Sequence, residues 1–337
     1  MERRGVESRE FRAVGPRSSD EADLALSGKS SCRVSAQLER GDSQMSRLLI
    51  IDGHAYAYRA FHAIRELSSP SGRPTNAIYG FVKMLAKMRA AVSPSHLIVI
   101  WDGGLSEERT GALPGYKAHR PEMPDSLEEQ LDGLVEYLDA AGIASFCREG
   151  VEADDYIACL TRHAVAAGIE VVIASSDKDF MQLVAPGVGL LNPNDKSESV
   201  WGFDEVKAKT GVEPSQIVDW LSLVGDSVDN IPGVPGVGVK TAAVLMKEFG
   251  SVRELYARLG EVKSERQREA LRSAAEDVKR NIELVRLKDN LPCEFAAENL
   301  IPGNPDEKRL AELFQRWGFR SMLADLEARW SRQEALL

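Results

Sequence analysis

Three apolar runs of the sequence each end in an aspartate. The runs are RLLIID (47–52), HLIVIWD (96–102) and EVVIASSD (170–177), and the aspartates are Asp52, Asp102 and Asp177. Consecutive Ile, Val and Leu residues are typical of strands that are buried on both faces of a parallel sheet. An aspartate often ends a strand because it starts a turn, but its recurrence in all three runs favours a ligand site at the carboxyl ends of the strands.

Three short segments supply further acidic residues. These acids are Glu152, Asp154, Asp155, Asp179, Asp226 and Asp229. The first three begin a predicted helix, where one or two acids are enough to complement the helix dipole. The last two are three residues apart, so we expect them to share one helical face. A site made of carboxylates is typical of Mg²⁺ or Mn²⁺, and two such ions about 3.5–4 Å apart can hydrolyse a phosphodiester.

Zinc and disulfide chemistry are not indicated by the spacing of the other ligand-type residues. None of the cysteines forms a CxxC pair, and the histidines His54, His62, His96, His119 and His163 lack ligand spacing. We therefore interpret the cysteines as free thiols in a reducing cytoplasm. They are Cys32, Cys147, Cys159 and Cys293.

The composition is that of a globular enzyme with an unusual start. The 337 residues are 43% hydrophobic and 28% charged, and no apolar run approaches the length of a membrane span. A net charge of −10 argues only weakly against nucleic acid, because it does not say where the charges lie. Residues 1–44 are too polar to offset the entropy of ordering, so we predict a disordered extension. Met45 is an alternative start, and no targeting pattern precedes it.

Helical patterns alternate with the three strands and predict a doubly wound α/β domain over residues 45–202. Within it, helices are predicted at 75–90, 126–141 and 153–167 from their apolar spacing. The strand signal fades after Val200, so residues 203–337 are predicted to form a helical region. Its predicted helices are 203–210, 214–224, 239–249, 251–258, 264–288 and 306–316.

The segment GDSVDNIPGVPGVGVKTA (225–242) places two of the aspartates directly before a glycine-rich run. The glycines are Gly233, Gly236 and Gly238. Their G-x-x-G-x-G order is the reverse of a dinucleotide fingerprint, and no strand precedes them. We interpret them as a turn between two helices, whose backbone N–H groups approach a DNA phosphate. Lys240 and Thr241 would add contacts at the start of the second helix.

Together, several motifs resemble the 5′-nuclease domain of bacterial DNA polymerase I, a relative of the flap endonucleases. The motifs are IDGHAYAYRAFHA, NAIYGF, GYKAHR, EADDYIA, SSDKDF, GDSVDNIPGVPGVGVKTA and FGS, in family order between Leu48 and about Leu323. The resemblance implies a PIN-like parallel sheet flanked by helices and a helical arch around 105–124. It also implies a helix–three-turn–helix DNA-binding element around 225–250. All nine acids match family metal-site positions for two Mg²⁺ ions, and K⁺ is expected on the turn.

The same resemblance implies a function. It is that of a divalent-metal-dependent 5′–3′ exonuclease or 5′-flap endonuclease acting on DNA 5′ ends and RNA primers. We also expect a monomer, with a DNA polymerase as a candidate functional partner. The chain ends about where the nuclease unit would end, so it is either a stand-alone enzyme or a fragment. Two alternatives are a PIN-type ribonuclease and a non-catalytic helix–hairpin–helix DNA-binding protein. The complete carboxylate set speaks against the second, because a binder gains nothing from acids beside phosphates.

The basic segment SEERTGALPGYKAHRPEMP lies between a predicted strand and a predicted helix. Its pattern alone favours a solvated loop, but it resembles the family's arch. The resemblance makes Lys117 and Arg120 candidates to contact the scissile phosphate and stabilise developing charge. Arg59 and Arg109 look like further phosphate contacts.

Two residues of this resemblance have open interpretations. Tyr79 either stacks on a terminal base or is a core aromatic of its helix. Glu108 stands where the family commonly has an aromatic residue. An acid there either weakens the grip on the 5′ strand or reflects a different arch conformation.

Overall fold

The computed structural model describes residues 46–193, 199–293 and 295–334. The predicted extension over 1–44 and the alternative start at Met45 therefore lie outside the described residues. The described part is built on one sheet with the strand order β3-β2-β1-β4-β5-β6. The strands are β1 (Arg47–Asp52), β2 (His96–Trp101), β3 (Ala144–Cys147), β4 (Glu170–Ala174), β5 (Val188–Leu191) and β6 (Val200–Trp201).

The three runs that end in aspartate are the three central strands. β1 pairs in parallel with β2 on one side and with β4 on the other, so their carboxyl ends meet at one edge of the sheet. The sheet is parallel except for the β5–β6 pair, which is antiparallel. The predicted parallel sheet is confirmed. The sequence analysis missed β3, β5 and β6, which have only two to four residues each and therefore carry a weak apolar signal.

Thirteen helices appear in the described ranges. They are α1 (Gly53–Ala63), α2 (Asn76–Val92), α3 (Glu107–Ala112), α4 (Asp125–Ala140), α5 (Ala153–Ala166), α6 (Phe203–Thr210), α7 (Ile217–Val224), α8 (Val239–Phe249), α9 (Val252–Ala257), α10 (Glu265–Ser273), α11 (Ala275–Val285), α12 (Glu307–Trp317) and α13 (Arg320–Glu334). None of them has both the length and the apolar content that crossing a membrane requires.

The helix boundaries follow the local signals where those signals are strong. α6 and α8 have the predicted bounds, and each is followed by a glycine with positive φ, Gly211 and Gly250. The predicted helix 264–288 is instead two helices, α10 and α11, that meet at Ala274. No glycine or proline marks this break. Ala274 is buried in the core, so tertiary packing redirects the chain there.

Side chains of β1 alternate between two hydrophobic clusters, one on each face of the sheet. Leu48 and Ile50 face a cluster that includes α5 and the helices from α6 to α11. Leu49 and Ile51 face the other cluster, which α1, α2 and α4 share with α12 and α13. The predicted helical region 203–337 is therefore divided, because its last two helices pack on the N-terminal unit.

The reason for this division is the apolar face of α12. Leu313, Phe314 and Trp317 on that face are buried in the same cluster as Leu134 of α4. The connection before α12 is fixed to the end of α4 as well, because the backbone N–H of Asp306 donates to the carbonyl of Ala140 at 2.7 Å. A periodic pattern predicts that a helix has a buried face, but not which partner covers it.

The arch region contains less helix than the resemblance implied. Of residues 105–124, only α3 is helical, and turns follow it. The turns dock on the loop after α7, where the N–H of Lys117 donates to the carbonyl of Asp229 at 3.0 Å. The Nδ2 of Asn230 donates to the carbonyl of Gly115 at 2.8 Å. These contacts hold the arch segment against the loop after α7.

Candidate active site

Asp52 is built into the junction of β1 and α1. It is the last residue of β1 and the N-cap of α1, where its Oδ1 accepts from the backbone N–H of Ala55 at 3.0 Å. Its Oδ2 accepts from the hydroxyl of Ser175 at 2.9 Å. Both carboxylate oxygens are therefore oriented by groups at the ends of β1 and β4, at the sheet edge where the other aspartates lie.

Asp102 and Asp177 reach the same edge from the two neighbouring strands. Asp102 follows β2 directly, and its backbone N–H donates to Nδ1 of His54 at 3.0 Å. Asp177 caps a 3₁₀ turn, where its Oδ1 accepts from the N–H of Asp179 at 2.9 Å. The parallel register thus brings together the aspartates that the sequence analysis placed at strand ends.

Three carboxylates of this edge, the buried Asp52 and the half-buried Asp154 and Asp179, repel their neighbours. Burial, together with the charges of Asp177 and Asp102, raises the pKa of Asp52 to about 6. Burial and the charges of Asp177 and Asp52 raise the pKa of Asp154 well above its ordinary value. The pKa of Asp179 is raised in the same way by burial and by Asp177. In the ranges that the structure describes, none of these three forms an ion pair, because the nearby cations pair with other acids.

These residues fit a divalent cation. The Oδ1 atom of Asp179 is buried and has no hydrogen-bond partner, which leaves an oxygen donor available to a metal ion. Oxygen donors that repel one another are the ligands of a hard ion such as Mg²⁺, whose charge would offset the repulsion. In the described part of the chain, no three acidic residues each place a carboxylate oxygen within 4.8 Å of the other two.

Glu152 and Asp155 belong to a different environment. Glu152, the N-cap of α5, accepts from Nζ of Lys117 at 2.6 Å and from the hydroxyl of Tyr116 at 3.2 Å. Burial opposes ionisation, but the charges of Lys117 and Arg109 hold the pKa of Glu152 below its ordinary value. Asp155 accepts two hydrogen bonds from Arg109, at 2.8 and 2.7 Å. Both acids are neutralised within the protein.

Arg109 lies in the interior rather than on a DNA-facing surface. Its exposure is 3%, and besides Asp155 it contacts the carbonyls of Leu284 and Arg286 at 3.0 and 3.1 Å. The predicted phosphate contact is thus replaced by a buried ion pair that joins α3, α5 and the end of α11. The basic segment carries no local signal of this burial, because the partners of Arg109 come from distant parts of the chain.

The other predicted cations of the arch are also bound to acids. Lys117 has a positive φ of 55° and is buried, with its ammonium on Glu152. Arg120 donates to Oδ1 of Asp229 at 2.6 Å. A third cation, Lys178, pairs with Asp226 at 2.9 Å. The sequence analysis did not select Lys178, although it stands between two of the predicted ligands in SSDKDF.

Asp226 and Asp229 lie on a tight loop, not on one helical face. α7 ends at Val224, and the backbone of Asp226 exchanges two hydrogen bonds with that of Ile231 at 2.7 and 2.8 Å. The loop closes because Gly225 and Gly233 pack backbone to backbone: a Cβ on Gly233 would lie 2.0 Å from the carbonyl oxygen of Val224. Gly233 therefore serves the loop itself rather than a close approach of DNA.

The rest of the glycine-rich turn is open. Gly236 has a φ of 81° with free space around its missing side chain, and Gly238 is the N-cap of α8. Lys240, in the first turn of α8, is exposed, and Thr241 beside it is half-buried. The helix–turn–helix geometry of α7 and α8 is present, with the start of α8 accessible.

Three further predicted residues lie away from the carboxylates. The ring of Tyr79 packs edge-on against Phe319, with centroids 5.1 Å apart, which favours the core alternative. Arg59 is half-buried on α1. Glu108 is exposed and forms an ion pair with Lys288, which lowers the pKa of its carboxyl. The acid at this arch position thus ties α3 to the segment after α11, an interpretation that the sequence analysis did not consider.

The structure also brings together ligand-type residues that the sequence analysis set aside. Cys159 and His163 are four residues apart on α5, and Cys293 packs beside them. The interpretation of the histidines as lacking ligand spacing overlooked this pair, since a separation of four places both residues on one helical face. Cys293 has no local signal, because it comes from a distant segment.

Two family models match this chain in sequence. The first, described as 5′-3′ exonuclease, N-terminal resolvase-like domain, matches residues 47–211. The second, described as 5′-3′ exonuclease, C-terminal SAM fold, matches residues 212–308. The second match ends in the first turn of α12, so most of α12 and all of α13 lie beyond it.

Curated relatives support the same assignment. A 5′-3′ exonuclease of Aquifex aeolicus (strain VF5) is 38% identical over 283 residues, which cover 84% of this chain and 96% of that protein. DNA polymerase I of Bacillus caldotenax is 37% identical over 290 residues, which cover 86% of this chain but 33% of the polymerase. The chain thus spans about a third of the length of the polymerase relatives.

Solved structures show the same fold. A bacteriophage T5 5′-exonuclease with bound zinc ions aligns with a TM-score of 0.61 at 24% identity, covering 80% of this chain and 99% of that one. A T5 D15 flap endonuclease in complex with DNA and metal ions aligns with a TM-score of 0.60 at 22% identity, covering 84% and 98%. With the family models and the Aquifex relative, these findings identify the chain as a nuclease that belongs to the 5′-3′ exonuclease family.

Proposed function

We propose that this protein hydrolyses phosphodiester bonds at DNA 5′ ends and 5′ flaps, including RNA primers, with two Mg²⁺ ions for which Mn²⁺ can substitute. The observation that carries the proposal is the group of repelling carboxylates at the sheet edge, with the orphaned oxygen of Asp179 among them. The DNA and metal complex of the T5 relative supports it. When bound, such ions supply an activated water and stabilise the leaving oxygen.

The residues that would hold the ions are the strand-end aspartates and their neighbours on α5 and the 3₁₀ turn. They are Asp52, Asp102, Asp154, Asp177 and Asp179. Asp52 is oriented at both of its oxygens by hydrogen bonds, so it would meet an ion with little reorganisation. Asp226 and Asp229 would join the site after their cations, Lys178 and Arg120, turn to the substrate.

The arch cations have partners that a phosphate can replace. Lys117 and Arg120 bind Glu152 and Asp229 at 2.6 Å each, so their positive charge is held beside the carboxylate edge before DNA arrives. We propose that both side chains exchange their carboxylates for the scissile phosphate and stabilise the charge that develops on it. Lys117 is buried, so this exchange requires the arch segment to move away from α5.

The glycine-rich turn would hold the duplex. The N–H groups at the start of α8 point out of an accessible helix end, with exposed Lys240 beside them, and a phosphate binds favourably at such an end. We propose that Gly236, Gly238, Lys240 and Thr241 contact one strand, with K⁺ on the turn carbonyls. The contacts would be to the backbone, so they would position the DNA without reading its sequence.

A ribonuclease is the alternative function. The helix–turn–helix element favours duplex DNA, and the relatives named DNA polymerase I support a role beside a polymerase during replication or repair.

We propose that the protein acts as a monomer in the bacterial cytoplasm, with a polymerase as functional partner.

The test uses labelled 5′-flap DNA, blunt duplex DNA and single-stranded RNA, each with Mg²⁺ or with EDTA. We expect Mg²⁺-dependent cutting of the flap and the duplex ends, and much slower cutting of the RNA. Cutting of the RNA alone would favour the ribonuclease. The absence of Mg²⁺-dependent cutting on every substrate would contradict the proposed mechanism.

A further inference from the structure

A second group of ligand-type residues lies on α5, away from its carboxylate end. Cys159 and His163 occupy one face of the helix, and Cys293 reaches them from the segment that follows α11. One sulfur or nitrogen atom from each of the three lies within 4.8 Å of the others. We propose that these residues form a separate site for a thiophilic divalent ion such as Zn²⁺, with a fourth position open to water.

The distances suit this ion. In a tetrahedral zinc site with sulfur about 2.3 Å from the metal, two sulfurs are about 3.8 Å apart. The three ligand atoms lie within 4.8 Å of one another, so the two sulfurs are at most about 1 Å farther apart than in such a site. The donor set of two sulfurs and one nitrogen also differs from the oxygen donors of the carboxylate edge, so the two sites would select different ions.

The surroundings hold the ligands in place. The imidazole of His163 stacks on the ring of Phe295, with centroids 6.0 Å apart and planes inclined by 14°. Arg162 lies within 3.4 Å of the imidazole Nε2, and it is anchored by the carbonyl of Asp289 at 2.8 Å. The charge of a divalent ion is cancelled by the two thiolates that bind it. The charge of Arg162 is likewise cancelled by Asp289, so the whole cluster is neutral when the ion is bound.

The site would clamp two parts of the chain together. The segment between α11 and Cys293 already contacts α5, because the backbone N–H of Lys288 donates to Asp155 at 2.9 Å. The thiol of Cys159 donates to the carbonyl of Leu291 at 3.3 Å. A bound ion would fix this segment at a third point on the same helix, and thereby hold α11 against the N-terminal unit.

The test adds Co²⁺ to the metal-free full chain in saturating Mg²⁺, which occupies the oxygen sites. We expect one equivalent of Co²⁺ to give a thiolate-to-cobalt charge-transfer absorption that Zn²⁺ abolishes. The variant Cys293→Ser should lose this absorption, and His163→Gln should weaken it. Cys147→Ser is the matched control, because Cys147 is a half-buried free thiol outside the cluster, and it should keep the absorption.

Circular dichroism of each variant establishes that it is folded. Both Cys293 and His163 are half-buried, so their substitutions leave the core intact. The absence of the absorption in the unaltered chain would overturn the proposal, and so would an equal absorption in Cys293→Ser. Mass spectrometry of the purified chain distinguishes a disulfide. A mass lower than the calculated mass by two hydrogens, restored by reduction, would identify a disulfide and overturn the proposal. None of these results depends on nuclease activity.

Discussion

The acids around the active site fall into two groups that differ in how their charge is balanced. Glu152, Asp155, Asp226 and Asp229 each pair with a lysine or arginine. Asp52, Asp102, Asp154, Asp177 and Asp179 form no ion pair within the described ranges, and three of these five have a raised pKa. The first group joins the arch and the loop to α5. The second stores repulsion that a divalent ion can relieve.

The two groups of acids have different roles, structural ion pairing and metal binding, which the sequence resemblance does not distinguish. The resemblance implied a metal-site role for all nine acids, but a carboxylate held by two hydrogen bonds from a buried arginine is a structural element first. Adjacent residues of α5 show the difference. Asp154 faces the other aspartates, while Asp155 faces Arg109. Substitutions at these two positions therefore offer the sharpest contrast.

The largest effect is expected for Asp155→Asn. The change leaves Arg109 buried without its charged partner, which costs about 3–5 kcal/mol of the free energy of unfolding. Urea denaturation in the absence of metal measures the loss. Asp154→Asn is the matched control on the same helical turn, and it should be neutral or stabilising because it removes a repelling charge. Equal losses in both variants would erase the distinction between the two groups.

Asp177→Asn should affect catalysis rather than folding. Asp177 lies in the unpaired group, so its loss should reduce cleavage of a 5′-flap substrate by about a hundredfold or more, in the range seen when one group that stabilises transition-state charge is removed. Binding of the flap DNA, measured by fluorescence anisotropy in Ca²⁺, should persist. Undiminished cutting would remove Asp177 from the mechanism.

The stability of the metal-free protein should depend on pH in the direction set by the unpaired group. The pKa of Asp52 is raised to about 6 in the folded state, so protonation stabilises the fold. That stabilisation is complete below the ordinary aspartate pKa and is lost as the pH rises through about 6. We expect Mg²⁺ to restore on the order of 1–2 kcal/mol at pH 7.5, since one pKa unit corresponds to about 1.4 kcal/mol.

Thermal unfolding with Mg²⁺ or EDTA, at pH 5 and pH 7.5, tests this expectation. The increase in Tm on adding Mg²⁺ should be larger at pH 7.5, where the ion replaces protons that have left. Asp154→Asn should reduce the difference between the two pH values. An equal increase at both would show that the carboxylates do not repel one another as their arrangement indicates.

The smallest effect is expected for Glu108→Gln. The ion pair with Lys288 is exposed at Glu108, so its loss should change the free energy of unfolding by less than about 1 kcal/mol. Hydrogen exchange of α3 should nevertheless increase at low salt, because the pair ties this short helix to the segment after α11. Glu107→Gln, on the neighbouring exposed acid, is the control. A similar change in both variants would mean that the pair does not hold the arch.

Local patterns in the sequence determined much of this fold. Buried parallel strands require long apolar runs, so β1, β2 and β4 were recognisable, together with the aspartates that end them. α6 and α8 end at glycines, and their bounds could be predicted for that reason. The short strands β3, β5 and β6 could not, because too few residues carry the pattern.

Only the tertiary structure decided which groups meet. Lys117 and Glu152 are 35 residues apart, and Arg109 contacts a carbonyl 175 residues away. The partner face of α12 and the approach of Cys293 to Cys159 also depend on segments distant in the chain. Periodicity reports whether a side chain is buried, because burial repeats with the helix or strand. It does not report which buried charge or ligand lies opposite, because that is set when the elements pack.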